Sequence, residues 1–348
     1  MSTTDLVAIV LLLLVAAYTC GGGADFGAGM WDLLAGDRDR GARQRELVDF
    51  AMAPVWEANN VWLVFVLVVT WTGFPPVFEA VMSTAWVAVV IAALGLVLRG
   101  AAFAIRKPTT GVARRRRLGV VFGVASVLTP YFLGSVLGGV ASGRIPPGNR
   151  QGDPVTSWLN PTSVLFGLVG LAAAAFIAAT FLVSDARRFG APELEDRFRR
   201  RSQLSAGVLA VLMGTGLVVV HGDARPLYDG LTSGWGLAFA VVALVALAGT
   251  ALLVSRRVLW GARLAAVAAV GGLVLAWGFA QRPYALPTTL TIDQAAGDPT
   301  TLRWLLGVVV VAVLLVGPAL ALLYRLDATD RLTADHDEDL TEPPAAQS

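Results

Sequence analysis

Nine long apolar segments divide this chain, near 6–24, 54–74, 77–98, 118–140, 163–183, 204–220, 235–254, 259–280 and 303–324. A chain interrupted so regularly by such segments can satisfy its solvent only in a bilayer. A spanning helix needs about 20 consecutive apolar residues, and only helices pair every backbone group within one segment. The segments are too long and too uniformly apolar to be barrel strands. Charged residues make up 15% of the chain, against roughly 25% in soluble domains, so no large water-exposed surface could be covered. The expected fold is an all-α integral membrane domain over 1–327 with about nine transmembrane helices. A tail over 328–348, carrying Asp335, Asp337, Glu338, Asp339 and Glu342, reads as acidic and disordered.

The first apolar run has no basic residue before it and no small-residue cleavage site after it, so it reads as a retained helix rather than a signal peptide. Between the second and third segments stands Gly73-Phe74-Pro75-Pro76. Proline ends one helix and can open the next, which predicts a helical hairpin. Basic residues set the orientation. Of the 27, five (Arg144, Arg150, Arg225, Arg282, Arg303) fall on one set of alternate connections, and the other 22 lie on the opposite set and the C-terminal segment. That asymmetry puts the N-terminus outside and the C-terminus in the cytoplasm. The outer connections 142–162 and 281–302, rich in Pro, Gly, Thr and Asp, read as surface loops without catalytic content.

Ionisable groups at membrane depth are costly and each one asks for a reason. Asp25 stands at the inner end of the first segment, with Gly22 and Gly29 on its helical face. Small residues there would let a neighbouring helix enclose the carboxylate; the alternative is a hydrated acid near a helix end. Glu57, Asn59 and Asn60 fall within four residues, bracketed by Trp56 and Trp62. They form either a hydrated internal site or a polar helix start favoured by the helix dipole. Arg99 closes the third segment, on the same side as Asp25 and Glu57, as a charge partner or a side chain snorkelling to the headgroups. Glu79 reads as interfacial. The single cysteine, Cys20, and two histidines, His221 and His336, leave little capacity for a metal or haem.

Four motifs together resemble the cytochrome bd-type quinol oxidase subunit II family. They are Gly23-Ala24-Asp25-Phe26-Gly27-Ala28-Gly29-Met30, Pro54-Val55-Trp56-Glu57-Ala58-Asn59-Asn60-Val61-Trp62-Leu63, Phe74-Pro75-Pro76 and Leu98-Arg99-Gly100-Ala101-Ala102-Phe103. The motif match covers about the first third of the chain. Glu57-Ala58-Asn59 stands where the better-known branch has Asp-Gly-Asn, and is closer to the branch called cyanide-insensitive oxidases. Gly21-Gly22-Gly23 replaces that branch's Thr-Asp-Gly, and Ala24 replaces an aromatic.

The resemblance implies two four-helix bundles and an additional helix, packed against a subunit I in the bacterial inner membrane. Subunit I would carry the b-type haems, haem d (or a second haem b in its place) and the quinol site, while this chain would bind no cofactor itself. Small accessory subunits and membrane lipid would complete the assembly, and the quinone pool would supply substrate. No residue of this chain would be catalytic. A proton path would run through Asp25 and Glu57, supported by Asn59, Asn60, Trp62 and Arg99. A proton-coupled secondary transporter, and a purely structural subunit, are the alternatives; the former would act without a partner.

Overall fold

The computed structural model describes the backbone of residues 2–36, 38–52, 56–106, 109, 111–149 and 151–328, with the side chains at 38–40, 57, 112, 323, 324, 327 and 328 left undescribed. In order, α1 spans Thr3–Leu33, α2 Arg38–Met52, α3 Trp56–Gly73, α4 Pro75–Thr84, α5 Trp86–Arg106, α6 Val112–Ala141, α7 Pro161–Arg188 and α8 Pro192–Asp223. Then follow α9 (Arg225–Leu231), α10 (Gly234–Ser255), α11 (Leu259–Ala280), β1 (Tyr284–Leu286), β2 (Leu290–Thr291), α12 (Ile292–Ala295) and α13 (Pro299–Ala328). Apart from the small antiparallel pair β1–β2, the regular secondary structure of the described residues is helical. The tail from 328 onward lies outside the described residues, except that the backbone of Ala328 ends α13.

Local chemistry sets where the helices begin. The Ser2 hydroxyl accepts from the Asp5 N–H while the Asp5 carboxylate accepts from the Ser2 N–H, a reciprocal cap on α1. Asn160 caps α7 by accepting from Ser163 N–H. Proline occupies the first helical position of α4, α7, α8 and α13, where its missing N–H costs nothing.

Among the described residues, eight helices are long and apolar enough to cross a membrane: α1, α5, α6, α7, α8, α10, α11 and α13. The ninth expected segment is α3, which runs on into α4 through a bend of 116°. The hairpin expectation therefore needs correction. Pro75 does open a helix, but that helix stops at Thr84, and the span itself starts afresh at Trp86. The first segment also differs. It does not end at Ala24 but continues to Leu33, because Phe26, Gly27, Ala28 and Trp31 are buried against neighbouring helices. Asp25 consequently lies inside a helix rather than at its inner end.

α7 is the most enclosed span and α13 the least. The seam between α1 and α7 is made of small residues. A Cβ on Gly27 would run into the Ala174 carbonyl and the Ala178 methyl, and Trp31 Nε1 donates to the Ala175 carbonyl at 3.0 Å. Such close backbone approach is how helices associate where no hydrophobic force acts between them. α2 is short and polar, yet buries Leu47, Val48 and Met52 beneath α1 and α7. At the opposite end the two connections read as surface loops are packed: Ile145, Ser157, Leu286 and Ala295 are at most 1% exposed. There Asp223 accepts from Arg144 Nη1 at 3.1 Å and from Thr162 Oγ1 at 2.6 Å, tying the α8 end to the first connection.

Candidate functional site

Along one face of α1 stand Tyr18, Gly22, Asp25, Gly29 and Asp32, spaced alternately by four and three residues. That spacing keeps them on one line of a helix. Tyr18, Asp25 and Asp32 are each buried, at 8%, 5% and 3% exposure. The glycines clear the space between them. A Cβ on Gly22 would press on the Tyr18 ring at 2.8 Å, and one on Gly29 would fall on Ser126 Oγ.

Asn59, from α3, donates Nδ2 to Asp25 Oδ2 at 3.0 Å. Gly21 makes that approach possible, since a Cβ there would stand 2.8 Å from Asn59 Oδ1. Arg99 reaches the same region from α5. It is 1% exposed, so it does not snorkel to a headgroup region. Its Nε donates to Ser126 Oγ at 3.2 Å, and that hydroxyl donates to the Phe122 carbonyl at 2.7 Å. The guanidinium lies over Phe26 at 5.0 Å and Phe122 at 5.3 Å, positions from which the ring faces attract a cation. Arg99 and Asp25 act on each other electrostatically but make no direct ion pair.

Trp62 is half-buried against Tyr18, Phe26 and Ala174, so it helps wall the site. Asn60 does not join it: its Nδ2 turns back to the Trp56 carbonyl of its own helix at 3.0 Å. Glu57 lies in the first turn of α3, and its side chain falls outside the described residues. The structure therefore brings Asp25, Asn59, Trp62 and Arg99 together.

A second charged group lies one heptad further along, and sequence reasoning missed it. Arg106, 4% exposed, donates Nη1 to Asp32 Oδ2 at 2.9 Å and Nη2 to Asp49 of α2. Its guanidinium sits over Phe122 at 5.1 Å, so that ring stands between two cations. Asp25/Asp32 and Arg99/Arg106 are both seven residues apart. This paired repeat was the available signal, but Asp32 and Arg106 lie beyond the ends assigned to their apolar runs.

His221 is exposed at the far end of α8, with Nε2 2.6 Å from Arg225 Nη1 and its ring edge-on to Tyr228 at 4.8 Å. His336 lies outside the described residues.

The family model described as "Cytochrome bd terminal oxidase subunit II" matches residues 3–327. The chain is 23% identical over 340 residues to a putative cytochrome bd menaquinol oxidase subunit II of Bacillus subtilis, covering 95% of this chain and 97% of that one. It is 26% identical over 222 residues to the cytochrome bd-I ubiquinol oxidase subunit 2 of Escherichia coli, covering 60% of this chain and 55% of that one. Among solved structures it superposes on a chain of the bd oxidase from Geobacillus thermodenitrificans with a TM-score of 0.74 and 25% identity, covering 94% of this chain and 98% of that one.

Proposed function

The chain belongs to the cytochrome bd terminal oxidase subunit II family and is a multi-pass membrane subunit of a bd-type quinol oxidase, in which we propose that it braces a haem-bearing subunit I and carries protons inward from the cytoplasm through Asp25 and Glu57. The observation that carries this reading is a carboxylate inside a membrane-spanning helix, 5% exposed, whose hydrogen-bond partner among the described residues is the Asn59 amide. An ionisable group kept at that depth, without a direct ion pair, is expensive and points to proton handling.

The haems of subunit I would supply the oxygen chemistry, and reduction of oxygen to water consumes protons. In this chain, Asn59 orients the Asp25 carboxylate by donating to it in its ionised form. Arg99 lends positive charge from beyond contact distance without locking the acid into a salt bridge. Glu57, at the N-terminal turn of α3, stands where the helix dipole favours a carboxylate. Trp62, Phe26 and Phe122 exclude lipid and bulk solvent. We read α1, α3, α5 and α6 as one four-helix bundle and α7, α8, α10 and α11 as a second, with α13 additional. In this reading the basic ends face the cytoplasm of the bacterial inner membrane, which the arginine distribution supports. Proton uptake there, with quinol protons released outside, makes turnover electrogenic.

The test is a pair of variants in the two-subunit complex, Glu57→Leu and Asp25→Asn, assayed for quinol oxidase turnover with haem content measured alongside. Turnover should fall about 100-fold or more, the usual contribution of a positioned proton-transfer group, while haem content persists. Parental turnover in both would leave a purely bracing subunit. The transporter alternative requires substrate uptake by this chain alone in liposomes, and no observation favours it.

A further inference from the structure

The proton path proposed above lacks an inner mouth, and the geometry points to one. We propose that Asp49, Arg106 and Asp32 form the cytoplasmic mouth of the path, with Asp32 passing protons along α1 to Asp25; this rests on the function proposed above.

Two carboxylates share one guanidinium here, through Arg106 Nη1 on Asp32 at 2.9 Å and Nη2 on Asp49. Their charges sum to one negative, so the group accepts one proton and becomes neutral. The Asp49 side chain is 23% exposed and that of Asp32 2%, so a single arginine joins a carboxylate that solvent reaches to one that it does not. Arg45 is the other cation that acts on Asp32.

A second, independent observation marks the route onward. Three buried polar atoms without a partner among the described residues, Asp32 Oδ1, Arg99 Nη2 and Tyr18 Oη, belong to residues of this α1 line or packed on it. A buried polar atom left unpaired is uncommon and calls for a water or a functional explanation. One of them belongs to Arg99, whose Nε donates to Ser126, and the Ser126 hydroxyl fills the slot left by Gly29. Asp32 and Asp25 stand seven residues apart, about 10 Å along a helix axis, too far for one transfer. The Ser126 hydroxyl, which accepts from Arg99 Nε and donates to the Phe122 carbonyl, stands between them along the helix and relays by turning its proton away from that carbonyl.

The proton balance closes. When Asp25 yields its proton toward the partner subunit, Asp32 passes its own to Asp25. The Asp49–Arg106–Asp32 group then takes one from the cytoplasm, and its charge is restored in each cycle.

The experiment uses the purified two-subunit oxidase carrying Asp49→Asn, Asp32→Asn or Asp49→Glu, with quinol turnover measured from pH 6 to pH 8.5 and haem content alongside. Asp49→Asn leaves Arg106 paired with Asp32, so assembly should hold. Its turnover should drop about tenfold at the alkaline end, less than the 100-fold or more of a group without a bypass, and recover at the acid end where protons are plentiful. Asp32→Asn should be lower still, and Asp49→Glu near parental. Parental turnover of Asp49→Asn and Asp32→Asn at every pH, with Asp25→Asn impaired, overturns the mouth and leaves the path. Parental turnover of all of them overturns both. Loss of activity that follows haem loss without pH dependence makes the group a structural clamp and also overturns the proposal.

Discussion

Replacing Arg99 by methionine tests whether a cation and an acid that do not touch nevertheless stabilise one another. The guanidinium is 1% exposed and Asp25 5%, so removing the cation leaves a buried carboxylate with only Asn59 to offset its desolvation. Breaking a buried charge pair in direct contact from one side costs about 3–5 kcal/mol, and this separated pair should cost less. The lost contacts over Phe26 and Phe122, at 5.0 and 5.3 Å, add to that, each worth about 1–2 kcal/mol when desolvated. Asp25→Asn removes the opposite charge while its amide oxygen can still accept from Asn59. The double variant carries neither charge, so it should be less destabilised than the sum of the two singles. Two charges 4 Å apart interact by about 4 kcal/mol at an effective dielectric of 20. This pair stands further apart than that, and the expected coupling is about 1–3 kcal/mol. The assay is dodecyl sulfate titration of the two-subunit complex in mixed micelles, followed by tryptophan fluorescence. Effects that add to within about 0.5 kcal/mol would show that Arg99 serves only its aromatic neighbours, and the electrostatic part of the argument would fail.

Gly27→Leu should break assembly, because its side chain would occupy the Ala174 carbonyl and Ala178; overpacking costs about 1–3 kcal/mol or more, read as lost complex by size exclusion. Tyr18→Phe should leave stability unchanged or raise it by about 1 kcal/mol, since it removes a buried hydroxyl without a partner; marked destabilisation in the same titration would reveal a hidden bond. In the connection before α7, the Thr156 and Val155 N–H groups hold the Asp153 carboxyl below the usual carboxylate range. A lowered folded value means that the turn is supported above the ordinary value of about 3.9 and loosens as pH falls through the folded one. Amide exchange at 155 and 156, corrected for intrinsic rate, should show this in the parent and not in Asp153→Ala.

Hydropathy made the spans legible because each crosses on apolar side chains, and the motif residues Asp25, Asn59 and Arg99 stood out as polar interruptions of that pattern. Helix ends were less legible. α1 runs nine residues past Ala24 on contacts with α6 and α7, and no local signal in the glycine-rich stretch reports them. For the same reason Asp32 and Arg106 read as loop charges, when tertiary packing makes them the ends of two buried heptads. Asn60 was misjudged differently. It is adjacent to Asn59, yet successive helical residues point about 100° apart, and only Asn59 faces Asp25. α2 carries so many charges that its buried Leu47, Val48 and Met52 gave no apolar run at all.

The glycine–alanine contact between α1 and α7 has a consequence for biogenesis. Every ionisable residue of the site, from Asp25 to Arg106, is synthesised before residue 107, yet the wall behind them is α7, and Trp31 is anchored on its Ala175 carbonyl. The nascent first half can therefore pair its acids and arginines within itself, on Asn59, Asp49 and Ser126, but leaves the small-residue face of α1 around Gly27 open to lipid until the second half is inserted. Quality control that samples the membrane during that interval would see an unfilled groove of small residues, and the docking of α7 alanines would close it.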